Sequence, residues 1–176
     1  MHMTLTSQDG AYRAAAEQYG GAIERLARGY EADAALAADL VKDIHAALWR
    51  SFAYFEGQCS VRSWVYRIAH NTAVTHVQTR LRGKGRGLVG LDAIEDLASA
   101  DDTEAETVER DLRGKLMATI HRLAPADRQV MLLYLEDLTA AEIGDVTGMS
   151  GPAVATRVHR VKTLLANRFA EPENEQ

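Results

Sequence analysis

Two clusters of side chains in this sequence combine positive charge with hydrogen-bonding groups at helical spacing. The first is Thr156, His159, Arg160 and Thr163, flanked by Arg157 and Lys162, on the side of a helix opposite an apolar row of Val154, Val158, Val161 and Leu165. The second is Arg62, Arg67, His70, Asn71, Thr75, Arg80 and Arg82, set against a side made of Trp64, Val65, Ile68, Ala69, Thr72 and Val77. Guanidinium and ammonium groups hold phosphates, an amide such as Asn71 can read a base edge, and an aromatic side chain can stack on an exposed base. No Asp or Glu occurs from Thr147 to Ala170, nor between Gly57 and Leu91, although the chain carries a formal net charge of -5. The chemistry expected is therefore local recognition of nucleic acid by two basic patches, not general coating of it.

The first cluster has a clear frame. Thr139 followed by Glu142 is a capping box that starts a short helix, and Ile143 and Val146 give that helix an apolar face. Gly148 supplies a left-handed stop, Ser150 caps the next helix, and Pro152 falls in its first turn, where a missing N–H costs little. Two helices joined by a tight glycine-containing turn, the second basic on its outer side, describe a helix-turn-helix whose second helix fits a major groove. The same spacing describes a helical hairpin with a solvated face; the local charge pattern favours DNA.

Helices are expected elsewhere too. Aromatics make up 6% of the residues and prolines number 3, while Ala, Leu, Glu and Arg recur, which favours helix over sheet. Helical patterns run over Tyr12 to Gly29, Asp39 to Arg50 and Val61 to about Arg82, with a connection at Glu31 to Asp33 and a turn over Ser51 to Ser60. In the Asp39 to Arg50 helix, Leu40, Val41, Ile44, Leu48 and Trp49 form a core stripe, and Asp39, Lys42, Asp43 and Arg50 lie largely off it. Gly83 to Gly90 reads as flexible linker, and from Asp92 to Asp111 acidic residues crowd a segment whose only basic residue is Arg110. Val108, Leu112, Leu116, Ile120 and Leu123 then resume a helical period, followed by a helix over Asp127 to Glu136 with Val130, Leu132, Leu133 and Leu135. The fold class expected is all-α: two small helical domains, 11–82 and 108–170, joined by a flexible acidic linker, 83–107, with the helix-turn-helix in the second.

Taken in order, DLVKDIHAALWR, FEGQCSVRSWVYRIAHNTAV, an acidic linker and LAPADRQVMLLYLEDLTAAEIGDVTGMSGPAVATRVHRVKTLL resemble a bacterial RNA polymerase sigma factor of the extracytoplasmic-function (ECF) class. The resemblance covers Ala11 to Phe169. It implies a first domain, region 2, that binds the clamp helices of the polymerase largest subunit through Asp39, Lys42, Asp43 and Arg50. The same domain would open the minus-10 promoter element, with Gly57, Gln58 and Ser60 in a loop that receives a flipped base and Arg62, Trp64, Arg67, His70 and Asn71 on the following helix. A second domain, region 4, would meet the polymerase flap and read the minus-35 element with Ser150, Thr156, Arg157, His159, Arg160 and Lys162. Three positions depart from the family pattern: Lys42 where Gln is usual, His45 where a large apolar residue is usual, and Ala155 where Lys or Arg is common.

The resemblance implies an alternative sigma factor, a non-catalytic specificity subunit with core RNA polymerase, promoter DNA and an anti-sigma factor as partners. The rival is a sigma-like decoy that binds an anti-sigma factor without binding DNA. An enzyme has little support, because His45, His70, His76, His121 and His159 make no metal-ligand set from their spacing; no metal and no cofactor are expected. Cys59 is the single cysteine, which excludes an internal disulfide and reads as an inert thiol. No apolar run approaches the ~20 residues of a membrane span and no signal-peptide pattern opens the chain, so a cytoplasmic location without membrane insertion is expected.

Overall fold

The computed structural model describes residues 5–83 and 108–170, and among these every regular element is a helix. The all-α expectation holds. The described residues fall into two compact units. The first contains α1 (Leu5–Tyr30), α2 (Ala34–Ser51), a short 3-10 turn (Phe52–Tyr54) and α3 (Val61–Gly83). The second is built on α4 (Val108–Arg122), α5 (Pro125–Leu135), α6 (Ala140–Thr147), which belongs to it as far as Gly144, and α7 (Gly151–Ala170). The acidic residues between Gly83 and Val108, and the tail beyond Ala170, lie outside the described residues.

In the first unit α1 begins at Leu5, before the expected Tyr12, and Gln8 in its early turns is buried. Asp33 caps α2, its side chain accepting the Leu36 N–H at 2.9 Å, so the connection at Glu31 to Asp33 is fixed by an orphan backbone donor finding its partner. Leu40, Ile44 and Leu48, spaced four apart, are fully buried, and Ile23, Leu26, Phe52 and Val65 of the same unit are buried as well. Each such side chain contributes about 1.5–3 kcal/mol of burial. Trp49 differs from the expected core stripe: it is 38% exposed. One position past Leu48 is a rotation of about 100° around the helix, which carries Trp49 to the edge. There its indole N–H donates to Asp9 at 2.7 Å and its carbonyl accepts from Gln8 at 2.7 Å.

In the second unit Pro125 occupies the first turn of α5, as the missing N–H favours. Ile120, Val130, Met131, Leu133, Ile143, Val154 and Val161 form the core. Leu112 and Leu135, which share the apolar spacing, are exposed. Leu135 stands two residues beyond the buried Leu133, and a step of about 200° turns it to the opposite side of α5. On α4 burial develops only toward the C-terminal half, with Leu116 half-buried and Ile120 fully buried.

Candidate nucleic-acid interface

The helix-turn-helix forms as its capping residues dictate. The Thr139 side chain accepts the Glu142 N–H at 3.2 Å, and the Glu142 carboxylate accepts the Thr139 N–H at 2.8 Å, which completes the capping box of α6. Gly148 ends α6 at φ 78°, its N–H donating to the Gly144 carbonyl at 2.8 Å. Ser150 then accepts the Ala153 N–H at 3.3 Å and starts α7. A Cβ placed on Gly144 would come within 2.8 Å of the Met149 carbonyl oxygen, so glycine at this position is what lets the turn close on α6.

On α7 the expected division of faces is present. Val154 and Val161 are buried, Val158 and Leu165 half-buried, and Thr156, His159, Arg160 and Thr163 exposed. The flanks are more structured than the sequence suggests. Asp127, at the start of α5 and only 6% exposed, accepts from Arg157 at 2.8 Å on one oxygen and from Arg160 on the other. Across the helix, the Lys162 ammonium lies 5.5 Å from the centroid of the Tyr134 ring and 3.4 Å from its hydroxyl. Sequence reasoning missed Asp127, which reads as an ordinary acidic residue in a helix's first turn.

In the first unit, the loop before α3 is stabilised by its own polar groups. The Gln58 side chain accepts the Glu56 N–H at 2.8 Å and donates to the Tyr54 carbonyl at 2.9 Å, while Gly57 takes φ 79°. Ser60 caps α3, its hydroxyl accepting the Ser63 N–H at 3.0 Å. The Trp64 indole donates to the Ser51 hydroxyl at 3.0 Å and packs on Phe55 with ring centroids 5.2 Å apart. Trp64 is therefore half-buried at the base of the loop, with Gly57, Gln58 and Ser60 exposed beside it. Cys59 is a free thiol, half-buried.

One expected contact residue is misplaced by the sequence pattern. His70, assigned to the outward basic side of α3, is 1% exposed, with its Nδ1 2.6 Å from the Tyr30 hydroxyl. Burial pushes its pKa down to about 3, so the imidazole is neutral and sits in the core. Asn71, one residue on, is exposed, and Arg62 and Arg67 lie on the same helix. Arg80 is not a free cation either: its Nε donates to Glu31 at 2.9 Å, and Glu31 is 4% exposed.

Asp39, Lys42, Asp43 and Arg50 are all exposed on α2. Asp43 and Arg50 line one groove of about 670 Å³ between α2 and α3 together with Asn71, Thr75 and His76. Residues singled out for protein docking and a residue singled out for base contact thus share a surface. No helix among the described residues is long and apolar enough to cross a membrane.

Two helical units, one with a capped helix-turn-helix and the other with an aromatic-based loop leading into a helix rich in Arg, fit a DNA-binding transcription protein. The comparisons make the class specific. The Sigma-70 region 2 family model matches residues 15–83, and the Sigma-70, region 4 model matches residues 113–165. Together they cover most of the chain, which belongs to the sigma-70 family as an ECF sigma factor. Among curated proteins it is 28% identical over 182 residues to the ECF RNA polymerase sigma factor SigG of Mycobacterium tuberculosis, covering 86% of this chain and 49% of SigG. The chain thus spans about half the length of that relative. It is also 28% identical over 153 residues to the RNA polymerase sigma factor NccH of Alcaligenes xylosoxydans xylosoxydans, covering 85% of this chain and 81% of NccH. Among solved structures, CnrH in complex with the cytosolic domain of CnrY shares the fold, with TM-score 0.68 and 19% identity over 94% of this chain and 91% of that one.

Proposed function

We propose that this chain is an alternative sigma factor that binds core RNA polymerase and directs initiation at promoters with minus-35 and minus-10 elements. The observation that carries the reading is the helix-turn-helix of the region 4 unit, closed by Gly144 and Gly148, with Thr156 and His159 exposed on the outer face of α7. In this role the chain contributes specificity and strand opening, and catalysis belongs to the polymerase. In this assignment Ser150, Thr156, Arg157, His159, Arg160 and Lys162 meet the minus-35 element, in contact with the polymerase flap. Gly57, Gln58, Ser60, Arg62, Trp64, Arg67 and Asn71 meet the minus-10 element, with His70 supporting them from the core. Flipping a base into the loop costs a few kcal/mol of unstacking, which the pocket and polymerase binding must offset. Asp39, Lys42, Asp43 and Arg50 dock on the clamp helices of the largest subunit. The complex of CnrH with the cytosolic domain of CnrY supports an anti-sigma factor as a further partner here.

The test is run-off transcription with purified core polymerase, with and without this protein, on sheared DNA from the source genome, followed by mapping of transcript starts. New starts sharing two spaced upstream elements are expected. Core binding without new starts would point to a held or incomplete factor, whereas no core binding at all would support a decoy that engages an anti-sigma factor without binding DNA.

A further inference from the structure

We propose that Asp127 is a positioning residue for promoter recognition, holding Arg157 and Arg160 in fixed orientations at the edge of α7 and withholding them from indiscriminate phosphate contacts. The inference rests on the reading of α7 as the recognition helix.

The geometry is specific. Asp127 lies 30 residues before Arg157 and 33 before Arg160, and each of its carboxylate oxygens takes one guanidinium. The Asp127 side chain is 8% exposed, whereas those of Arg157 and Arg160 are 35% and 57% exposed. The carboxylate is thus shut away from water while its cations reach the surface. An ionised carboxylate so placed cannot lose both partners without becoming a buried, uncompensated charge. The two arginines therefore cannot both swing out to whichever phosphates pass by. A guanidinium carries five N–H donors in a rigid fork, so binding Asp127 on one edge leaves donors on another edge, aimed in a fixed direction.

On the opposite flank Lys162 makes a weaker, solvent-exposed contact with Tyr134. Thr156, His159 and Thr163 stand between these flanks on the outer face. Such an arrangement lowers the sequence-independent electrostatic term, which grows with each phosphate neutralised, and retains directional contacts. In an acidic protein that must choose promoters from a large excess of other DNA, selectivity gains from that trade.

The experiment uses the full chain assembled with core polymerase. Binding of a promoter duplex, identified by transcript-start mapping, is measured against a random-sequence duplex of equal length over a salt series. Asp127→Asn keeps the side-chain shape, removes the charge and turns an N–H₂ donor toward one guanidinium. The variant should bind the random duplex more tightly and lose about tenfold or more of its promoter preference. Its plot of log affinity against log salt on that duplex should steepen by about one to two, since each freed cation releases close to one counterion. Asp127→Glu, which keeps the charge, should restore part of the preference.

If Asp127→Asn fails to fold, Arg160→Lys tests the same idea by keeping the charge while losing the fork, and promoter preference should again fall. Unchanged preference and salt slope in the folded variants would overturn the proposal. So would a shallower slope with weaker binding to both duplexes, the pattern of simple loss of packing. If the unsubstituted holoenzyme shows no preference for the promoter duplex, the recognition-helix reading itself fails.

Discussion

The Tyr30 hydroxyl lies 2.6 Å from Nδ1 of His70, joining the end of α1 to the middle of α3 inside the first unit's core. Nε2 of the same ring is buried without a hydrogen-bond partner, so protonation there would place a charge where nothing compensates it. His70 accordingly has its pKa lowered from 6.5 to about 3 by burial. Because the folded value is the lower one, the unfolded chain takes up a proton as pH falls below about 6.5 and the folded chain does not. Stability from this site is therefore full above that pH and declines as pH drops toward 3, by up to ~1.4 kcal/mol per pH unit. Urea unfolding at several pH values should show a flatter pH dependence for His70→Gln than for the unsubstituted chain. Equal slopes would place the histidine outside the core.

Glu31 and Arg80 supply a second buried link, between the segment after α1 and the end of α3, at 2.9 Å with side chains 3% and 19% exposed. His76 also approaches Glu31, at 3.4 Å, and lies 3.2 Å from Asp43. Removing Arg80 strands most of the compensation for a buried carboxylate, which costs about 3–5 kcal/mol. Arg80→Met should therefore destabilise the first unit by that order, and adding Glu31→Leu should recover most of the loss. Chemical denaturation of the single and double variants measures the coupling; additive losses would show that the pair is not one interacting unit.

How much of this was legible beforehand depends on whether a residue's partner is local. The helix-turn-helix could be read almost residue by residue, because Thr139 with Glu142, Gly148, Ser150 and Pro152 act on backbone groups within four positions of themselves. The exposed α2 residues Asp39, Lys42, Asp43 and Arg50 were legible for the same reason, since helical spacing alone sets them off Leu40, Ile44 and Leu48. His70 was not: it stands beside Asn71 in a basic run, and only Tyr30, 40 residues earlier, shows that it faces inward. Asp127, Glu31 and Arg80 also take their roles from partners remote in sequence, and charge patterning treats such residues as solvated by default.

The turn between α6 and α7 gives a graded prediction from two glycines. At Gly144 an added methyl meets the Met149 carbonyl oxygen at 2.8 Å, a backbone atom that cannot move aside without shifting the turn. At Gly148 the space is open, and the penalty comes from φ 78° alone. Gly148→Ala should cost about 1 kcal/mol, the usual penalty for left-handed backbone at a residue with a Cβ. Gly144→Ala should cost more, about 1–3 kcal/mol, as overpacking does. Thermal unfolding should rank unsubstituted above Gly148→Ala above Gly144→Ala, with minus-35 affinity falling in the same order. The reverse order of the two alanines would mean that the turn relaxes around the methyl more easily than around the strained dihedral.

Under the proposed function, substitution of Asn71 should separate promoter opening from polymerase docking. It is exposed on α3 next to the buried His70 and shares a groove with Asp43 and Arg50 of α2. An amide at that point can exchange two hydrogen bonds with a base edge, whereas alanine offers none. Since Asn71 is exposed, Asn71→Ala should leave the fold within about 0.5 kcal/mol of the original. Core binding should persist, because Asp39, Lys42, Asp43 and Arg50 are untouched, while strand opening should slow by about tenfold or more, the equivalent of one lost base contact. Permanganate reactivity of thymines around the minus-10 element, followed over time, reports opening directly, and a parallel pull-down of core polymerase reports docking. Loss of core binding with normal opening of whatever complex remains would move Asn71 to the polymerase surface and make the α2–α3 groove a protein-docking site alone.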